Sequence, residues 1–514
     1  SNTAEGTVSP ISLTFTNVNW NTPQTVTITG VDDFVADGNK AYTIVTAPAT
    51  SSDIKYSGLN ANDVSVSNTD NDVVGVIVTP TAGLTTTEAG GTATFTIRLQ
   101  SQPTASVTIN LLSTNTLEGT INPVTVTFTA SNWNATQTVT ITGQNDDVDD
   151  DDVAYSIVKQ SVVSADLGYN DISVPSVSVI NRDDDVAGYN FSTTNVSYSE
   201  SGSVVTLTVS LRSKPLSNVL FTLISENTAK GTVSPASVTF TPANWSVAQT
   251  ITITPVNNSV MDGNATFNIV TSAPTTTDTK YSGLNPPDIA VTCLDDDIAG
   301  ISVSAISGNT SESGVTATFT IVLNSEPTDD VSINISSSNT AEGTVSPASV
   351  TFTSVNWNTP RTITVTGVDD MMVDGNQTYT IVLSVATSTD VNYNGIDPTD
   401  ITVINTDNDA AGISVFPLSG LETTEAGGTA TFTIWLNTIP SANVPINFAS
   451  NNIAEGTVSP ASFTFNASNW NTPQTITVTG VDDLVNDGDK PYQINITVDA
   501  SCTEPNYKSI VIPS

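Results

Sequence analysis

The sequence of 514 residues contains no histidine, two cysteines and only twelve basic residues. Histidine is the commonest general base, the commonest transition-metal ligand and the usual pH switch, so its absence argues against most enzyme classes. Cys293 and Cys502 lie at unrelated positions, which disfavours a disulfide framework and a thiolate metal site. Because no nucleophile–base pair or cofactor loop is present either, we predict that the chain is not an enzyme.

Positive charge and long apolar runs are also scarce. Fifty-one acidic residues against twelve basic ones give a net charge of -39, which disfavours nucleic acid as a partner and favours cations. No run of eighteen apolar residues occurs, so we expect no direct membrane insertion of this segment. The opening stretch, SNTAEGTVSP, lacks the basic and apolar regions of a signal peptide, and we expect any targeting information to lie elsewhere.

Two independent markers recur with one period. Asn-Trp recurs at Trp20, Trp133, Trp245, Trp357 and Trp470, and a glutamate recurs at Glu88, Glu200, Glu312 and Glu425. The spacing of 112 or 113 residues exceeds a solenoid repeat and matches a whole domain of about 100 residues. The sequence therefore predicts a tandem array with boundaries at 1–74, 75–187, 188–299, 300–411 and 412–514, which we call repeats 1 to 5.

Repeat 1 corresponds to a domain without its first three strands, since its SNTAEGTVSP matches the same letters from Ser338 in repeat 4. The simplest interpretation is a window of a longer polypeptide. The alternative is that a neighbouring chain completes the first domain.

Apolar residues alternate with threonine at period two, and no helical periodicity is present, which is typical of strands with one buried face. In repeat 2 we predict seven strands, A to G, within 75–79, 92–99, 106–111, 124–129, 137–142, 154–158 and 172–180. Seven short strands per 112 residues predict an all-β fold, a tandem array of immunoglobulin-like seven-stranded antiparallel β-sandwiches.

Four acidic segments of repeat 2 are predicted to meet at one pole. If successive strands run up and down, the A–B, C–D and E–F loops and the exit from strand G lie at the same end of the sandwich, where the next repeat begins. The candidate ligands there are Glu88, Glu118, Asp146, Asp147, Asp150, Asp183, Asp184 and Asp185.

So many carboxylates at one junction would repel one another. The repulsion energy is about 4 kcal/mol for two charges about 4 Å apart at an effective dielectric constant of about 20. Oxygen ligands without nitrogen or sulfur select Ca²⁺ or Mg²⁺, and flexible sets of six to eight oxygens favour Ca²⁺. The alternative, that Asp, Gly and Asn simply form soluble turns, explains a single Asp-Gly but not four converging segments. An EF-hand is excluded because Val35 and Ile44 occupy its ligand positions three and twelve.

The segment DDDIAGISVSAISGNTSESGVTATFTIVL from Asp295, followed by strand E and the acidic GVDD loop from Gly367, resembles the Calx-beta family. That family occurs in sodium-calcium exchangers, an integrin cytoplasmic segment and many bacterial surface proteins. The resemblance covers the four copies from Gly75, Gly188, Gly300 and Gly412 and the partial first copy. It implies calcium bound by the A–B glutamate, C–D acids, E–F aspartates and acids after strand G.

In repeat 4 the resemblance assigns these roles to Glu312, Glu342, Asp369, Asp370, Asp374, Asp407 and Asp409. The equivalent candidates in repeat 1 are Glu5, Asp32, Asp33, Asp37, Asp70 and Asp72, and those in repeat 5 are Glu425, Glu455, Asp482, Asp483 and Asp487. One C–D glutamate, where the exchanger modules have several acids, predicts one or two ions per site.

Repeats 3 and 5 depart from this pattern. In repeat 3, Lys230 replaces the C–D glutamate, and Asn257 and Asn258 replace aspartates, so we expect its site to be impaired although Glu200, Asp262 and Asp295–Asp297 remain. Repeat 5 lacks the Asp-Asn-Asp exit, so we expect an incomplete site.

The sequence therefore predicts a calcium-stiffened extracellular stalk of a repetitive adhesin or filament at a bacterial cell surface. Its expected partners are calcium, neighbouring repeats of a longer chain and other copies in a filament. The alternative is a calcium-sensing regulatory module of a larger membrane or signalling protein, which five similar copies disfavour.

Overall fold

The computed structural model describes residues 1–483, 485–486 and 488–512. Within these residues the chain is built from strands without helices, so that no helix long and apolar enough to cross a membrane occurs there. The chain divides into two compact units. Unit 1 comprises Ser1–Ser197, Ser203–Thr254 and Thr266–Thr292, and unit 2 comprises Tyr198–Gly202, Pro255–Ala265 and Cys293–Ser514.

Repeat 1 forms two-stranded sheets, β1 with β2 and β3 with β4. Its strands are β1 (Gly6–Ser9), β2 (Thr27–Gly30), β3 (Lys40–Ile44) and β4 (Val64–Asn68).

Repeat 2 forms two packed sheets. Its strands are β5 (Val76–Thr79), β6 (Leu84–Thr87), β7 (Thr92–Leu99), β8 (Val107–Ser113), β9 (Gly119–Asn122), β10 (Thr125–Phe128), β11 (Gln137–Gly143), β12 (Val153–Ser164) and β13 (Val177–Arg182). The sheet orders are β5-β7-β11-β9 and β10-β8-β12-β13-β6. Strands A to G of the sequence analysis correspond to β5, β7, β8, β10, β11, β12 and β13.

Repeats 3 and 4 follow the same plan. Repeat 3 contains β14 (Tyr189–Phe191), β15 (Asn195–Ser199), β16 (Val205–Leu211), β17 (Val219–Ser225), β18 (Gly231–Ser234), β19 (Ser237–Phe240), β20 (Gln249–Pro255), β21 (Ala265–Thr271) and β22 (Ile289–Leu294). Repeat 4 contains β23 (Ile301–Val303), β24 (Thr310–Ser311), β25 (Thr316–Leu323), β26 (Val331–Ser337), β27 (Gly343–Ser346), β28 (Ser349–Phe352), β29 (Arg361–Gly367), β30 (Gln377–Leu383) and β31 (Ile401–Thr406).

Repeat 5 pairs a four-stranded sheet, β32-β33-β37-β35, with a three-stranded sheet, β36-β34-β38. Its described strands are β32 (Ile413–Phe416), β33 (Thr429–Leu436), β34 (Val444–Ser450), β35 (Gly456–Ser459), β36 (Ser462–Phe465), β37 (Gln474–Gly480) and β38 (Ile494–Val498).

Alternation of apolar and polar residues builds each core. In β7, Phe95, Ile97 and Leu99 are buried while the threonines between them face outward, because successive side chains of a strand point to opposite faces. They pack against residues such as Val126 and Tyr155 of the other sheet. The tandem immunoglobulin-like β-sandwich fold is thus confirmed.

Some strand limits differ from those predicted. β6 and β9 are short and lack apolar alternation; β6 pairs in parallel with β13 and β9 pairs with β11, so distant partners define them. β12 is longer than expected and has a register shift between Lys159 and Ser161. The last strand begins at Val177 and not at Ile172, since Pro175 has no N–H to donate to a ladder.

A buried tyrosine fastens the F–G loop to the B–C turn in four repeats. Tyr169 donates its hydroxyl proton to the carbonyl oxygen of Ser101 at 2.7 Å and accepts from the Ser101 N–H at 3.1 Å. Asp166 accepts a hydrogen bond from the Thr104 N–H at 2.8 Å. The equivalent tyrosines are Tyr281, Tyr393 and Tyr507. This arrangement fixes the B–C turn at the pole opposite the acidic loops.

Candidate metal centres

Among the described residues, five groups of three carboxylates each place one oxygen per residue within 4.8 Å of the others. They are Glu88 with Asp183 and Asp185, Glu118 with Asp146 and Asp150, Glu200 with Asp262 and Asp295, Glu312 with Asp407 and Asp409, and Glu342 with Asp370 and Asp374. Repeats 2 and 4 thus have two groups each. We call the group with the A–B glutamate the first cluster and the group with the C–D glutamate the second cluster.

Parallel pairing brings the first cluster together. β6 runs beside β13, so Glu88, after the end of β6, meets the aspartates that follow β13. The Glu88 N–H donates to the carbonyl oxygen of Arg182 at 3.0 Å, which continues this pairing beyond the strands. Residues 95 positions apart are therefore neighbours in space.

The E–F loop is tied to the exit from strand G by the first exit aspartate. Asp183 Oδ2 accepts hydrogen bonds from the N–H groups of Asp150 and Asp151 at 3.0 and 2.9 Å. In repeat 4, Asp407 Oδ2 accepts from the Gly375 N–H at 2.7 Å, and Asp70 and Asp295 make the same contact with Gly38 and Gly263. Gly375 has a φ of 77°, a left-handed conformation that favours glycine.

Burial and mutual repulsion raise several pKa values in these clusters. Burial, then the charges of Asp183 and Asp146, raises the pKa of Glu88 to about 7. Burial, then the charges of Asp407 and Asp370, raises the pKa of Glu312 to about 7 against a backbone hydrogen bond that lowers it. Burial is also the largest cause that raises the pKa of Asp150 to about 6.

Three carboxylate oxygens are buried without a hydrogen-bond partner among the described residues: Glu88 Oε2 and Asp409 Oδ2 in first clusters, and Asp297 Oδ2 beside the cluster of repeat 3. Glu88 itself is only 3% exposed. Buried polar atoms are normally satisfied, so each orphaned oxygen requires a partner of positive character. Sets of oxygen ligands from flexible loops fit a hard divalent cation.

Some predicted ligands lie outside the five clusters within the part of the chain that is described. They include Asp147, Asp184 and Asp369. Asp147 instead offers its carbonyl oxygen to the Lys214 N–H of repeat 3. Asp369 Oδ1 accepts a hydrogen bond from Asn408 Nδ2 at 3.3 Å.

In repeat 1 the predicted residues line one cavity of about 150 Å³. They are Glu5, Asp32, Asp33, Asp37, Asp70 and Asp72. In repeat 5, Glu425 is exposed where the equivalent Glu88 is buried, and Glu425, Glu455, Asp482 and Asp483 belong to none of the clusters found among the described residues. The prediction for Asp487 lies outside the described residues.

Repeat 3 has one cluster, formed by acids that its sequence retains. Glu200, Asp262 and Asp295 form a first cluster, with Asp297 Oδ2 orphaned beside them. Lys230, only 7% exposed, occupies the position of Glu118 and Glu342, and no second cluster occurs there among the described residues. Two carboxylates of the second cluster are thus replaced in repeat 3, because Asn258 also stands at the position of Asp146 and Asp370.

Sequence reasoning missed the asparagines Asn68, Asn181 and Asn405, which precede the exit aspartates. Asn181 donates from Nδ2 to Glu118 Oε2 at 3.2 Å and so reaches the second cluster. Their recurrence at the repeat period was the available signal, but an uncharged residue at a strand end resembles an ordinary polar surface residue.

In unit 1, the acidic E–F loop contacts the next repeat. The carbonyl oxygens of Phe34 and Asp147 accept hydrogen bonds from the N–H groups of Gln102 and Lys214, which lie in B–C turns. The ring of Phe34 also packs on Trp133, with centroids 5.7 Å apart.

Unit 2 repeats the backbone contact. The carbonyl oxygens of Ser259 and Met371 accept from the N–H groups of Glu326 and Ile439. In addition, Asn392 Nδ2 donates to the Met261 carbonyl oxygen at 2.9 Å, and Asn506 Nδ2 donates to the Val373 carbonyl oxygen at 2.8 Å. At each of these four junctions, the acidic E–F loop is therefore also the docking surface for the following repeat, and in repeats 2, 3 and 4 this loop supplies aspartates to the clusters.

The architecture and the clusters define tandem immunoglobulin-like β-sandwiches with acidic poles. The Calx-beta domain family model matches residues 182–297 and 295–409, and the chain therefore contains two Calx-beta domains. No curated protein matches the sequence.

Several solved structures resemble the chain in fold. They include CBD12 of CALX1.2 (16% identity, 40% of this chain and 84% of that chain, TM-score 0.21) and the calcium binding domain CBD12 of CALX1.1 (19%, 40% and 82%, TM-score 0.22). Domains 4–9 of the surface layer protein SbsC also resemble it (14%, 93% and 77%, TM-score 0.21).

Proposed function

We propose that this chain is a non-catalytic stalk segment whose junctions between repeats are stiffened by bound calcium. The observation that carries the proposal is that one loop serves two purposes. The E–F loop supplies aspartates to the clusters and also accepts the hydrogen bonds of the next repeat, as at Asp370 and Met371 in repeat 4.

Neutralising the clusters would order that loop. Without a cation, Glu312, Asp407 and Asp370 repel one another, and burial together with this repulsion raises the pKa of Glu312. Divalent ions bound in the first and second clusters would remove the repulsion and would fix the E–F loop against the strand-G exit. The carbonyl oxygen of Met371 then presents a fixed acceptor to Ile439.

Calcium is the cation that we propose. The ligands are carboxylates from separate loops, a donor set that suits the larger and less strict coordination of Ca²⁺ better than the octahedron of Mg²⁺. Sites in extracellular modules have a Kd of about 10⁻⁴ to 10⁻³ M, so millimolar calcium outside a cell would occupy them. We therefore propose an extracellular location, in an adhesin or filament at a bacterial surface.

Calcium titration coupled to proteolysis tests this function. Isothermal titration calorimetry should show binding of several calcium ions to the intact chain. A non-specific protease should cleave the chain at the junctions in EGTA but not in about 5 mM calcium. Saturable binding with protection supports the proposal. Absence of binding, or binding with unchanged cleavage at the junctions, contradicts it.

A further inference from the structure

A chain of buried hydrogen bonds lies beneath the second cluster of repeat 2. Asn181, which is 1% exposed, donates from Nδ2 to Glu118 Oε2 at 3.2 Å and to the Gln144 carbonyl oxygen at 3.0 Å. Its Oδ1 accepts from Thr86 Oγ1 at 2.8 Å, and that hydroxyl lies 3.2 Å from the Tyr155 hydroxyl. The amide therefore has one fixed orientation, with the nitrogen toward the cluster.

Repeat 4 contains the same arrangement. Asn405, also 1% exposed, donates to Glu342 Oε2 at 3.4 Å and to the Val368 carbonyl oxygen at 3.0 Å. Thr310 Oγ1 donates to Asn405 Oδ1 at 3.1 Å and lies 3.2 Å from the Tyr379 hydroxyl. In repeat 1, Asn68 makes the corresponding bonds to Glu5 Oε2 and to the Val31 carbonyl oxygen.

The asparagine contacts both parts of the second cluster, the C–D glutamate and the start of the E–F loop, which are also joined by a backbone hydrogen bond from the Val368 N–H to the Glu342 carbonyl oxygen at 3.0 Å. It holds the C–D glutamate by one carboxylate oxygen, which leaves Oε1 for a cation. It also holds the backbone immediately before the E–F aspartates, since Val368 is two residues from Asp370. The backbone hydrogen bond joins the two segments, and the amide in addition holds the carboxylate of the glutamate against the E–F backbone.

Repeat 3 shows what accompanies the loss of the network. At the positions of Thr86, Asn181, Glu118 and Tyr155 it has Tyr198, Cys293, Lys230 and Phe267. Its sheets form as in the other repeats, with Cys293 and Phe267 buried, so the network is not needed for the sandwich. The threonine, asparagine and tyrosine of the network are therefore replaced in the same repeat in which the second-cluster glutamate is replaced.

We propose that Asn181 and Asn405 are positioning residues for the second cation of repeats 2 and 4. They act through Glu118 and Glu342 and through the E–F backbone. This inference rests on the proposed function, because it assumes that the second cluster binds calcium. Removal of a hydrogen-bond partner of a metal ligand typically lowers the metal affinity by about 10-fold to 100-fold.

Calcium titration of the intact chain carrying Asn405→Ala tests the inference. We expect one ion to bind about 10-fold or more weakly, and the same ion to be lost in Glu342→Gln. The matched control is Cys293→Ala, which changes the equivalent position of repeat 3 and should leave all affinities unchanged. A crystal structure of Asn405→Ala in limiting calcium should show reduced occupancy at the second cluster of repeat 4 and full occupancy at its first cluster.

A purely structural role predicts a different pattern. Asn405→Leu keeps the side-chain shape without the donors, and should bind calcium as poorly as Asn405→Ala; normal binding by Asn405→Leu would overturn the inference. If the Asn405 variants do not fold in EGTA, Thr310→Val provides a second test, because it removes only the hydroxyl that orients the amide. It should lower the calcium affinity of the same site about twofold to fivefold. An unchanged affinity would overturn the inference.

The two proposals fail differently. If the unmodified chain binds no calcium, the proposed function itself is wrong. If the unmodified chain binds calcium and Glu342→Gln loses one ion, but the Asn405 variants bind normally, only the positioning role is wrong.

Discussion

Lys280 Nζ in repeat 3 lies 2.5 Å from Asp149 Oδ1 in the E–F loop of repeat 2. The same ammonium contacts Asp151 Oδ1 at 2.7 Å, and Asp149 Oδ2 accepts from the Ala187 N–H at 2.8 Å. Burial alone would raise the pKa of Asp149, but the hydrogen bond from Lys280 holds it below its usual value. This junction therefore has an ionic link where Asn392 and Asn506 provide neutral amides elsewhere.

Replacing this lysine should loosen one junction. Lys280→Asn introduces the residue found at the equivalent position Asn392. Because the ion pair of Lys280 contributes about 0.5–1 kcal/mol, its loss should increase protease cleavage between repeats 2 and 3 in EGTA by about twofold to fivefold. Because salt screens such ion pairs, the difference in cleavage rate between the variant and the unmodified chain should become smaller in about 1 M NaCl. Equal cleavage of both chains at low salt would show that the link does not stiffen the junction.

Removing a first-cluster glutamate should remove one calcium ion. Glu312→Gln has nearly the same shape, but its amide offers one oxygen and no charge, so we expect one ion fewer in a titration of the intact chain. Glu422→Gln, at an exposed position of repeat 5 outside the clusters, is the control and should bind as the unmodified chain does. An unchanged ion count in Glu312→Gln would remove the first cluster of repeat 4 from the account.

Acidification should stabilise the calcium-free chain. The pKa values of Glu88 and Glu312 are about 7, above the ordinary value of 4.5, so between pH 4.5 and 7 the folded chain keeps protons that the unfolded chain has released. Their contribution therefore makes stability fall as pH rises through this window. Urea unfolding in EGTA should show a free energy of unfolding that decreases as the pH rises. The double variant Glu88→Gln/Glu312→Gln should show a smaller decrease.

Calcium should oppose this dependence of stability on pH. The cation binds ionised carboxylates, so calcium affinity should fall as the pH drops through the same window. In saturating calcium, the free energy of unfolding should therefore differ less between about pH 5.5 and about pH 7.5 than it does in EGTA. A calcium affinity that stays constant across this range would contradict the assignment of Glu88 and Glu312 as ligands.

Restoring acids to repeat 3 should not by itself restore a strong second site. Lys230→Glu with Asn258→Asp supplies the missing carboxylates, but Cys293 provides no amide to hold the new glutamate. We expect at most weak additional calcium binding, and a clear gain when Cys293→Asn is added with Tyr198→Thr. Strong additional binding in the first double variant would show that carboxylates alone suffice.

The acidic pole could be predicted because it depends on strand parity and charge. Once seven antiparallel strands are accepted, the loops that carry Glu88, Asp146 and Asp183 must share one end of the sandwich. Repulsion among them then follows from elementary electrostatics. The period of the repeats extended the same reasoning from repeat 2 to Glu312 and Asp407.

The supporting contacts could not be predicted in the same way. β6 is recognised only through its parallel pairing with β13, and Asn181 only through its contact with Glu118, which is 63 residues away. Tyr169 and Lys280 look like ordinary packing and surface residues until the B–C turn and the preceding repeat are placed beside them. Such roles depend on register between distant segments, which local sequence patterns do not encode.

Small-angle X-ray scattering of the intact chain, with calcium and after EGTA, tests the central claim most directly. If calcium orders the E–F loops that hold each following repeat, the calcium-bound chain should show a larger maximum dimension and a narrower distribution of shapes. The Glu88→Gln/Glu312→Gln variant should show a smaller difference. Scattering curves that coincide with and without calcium, in a chain that binds the ion, would contradict the account.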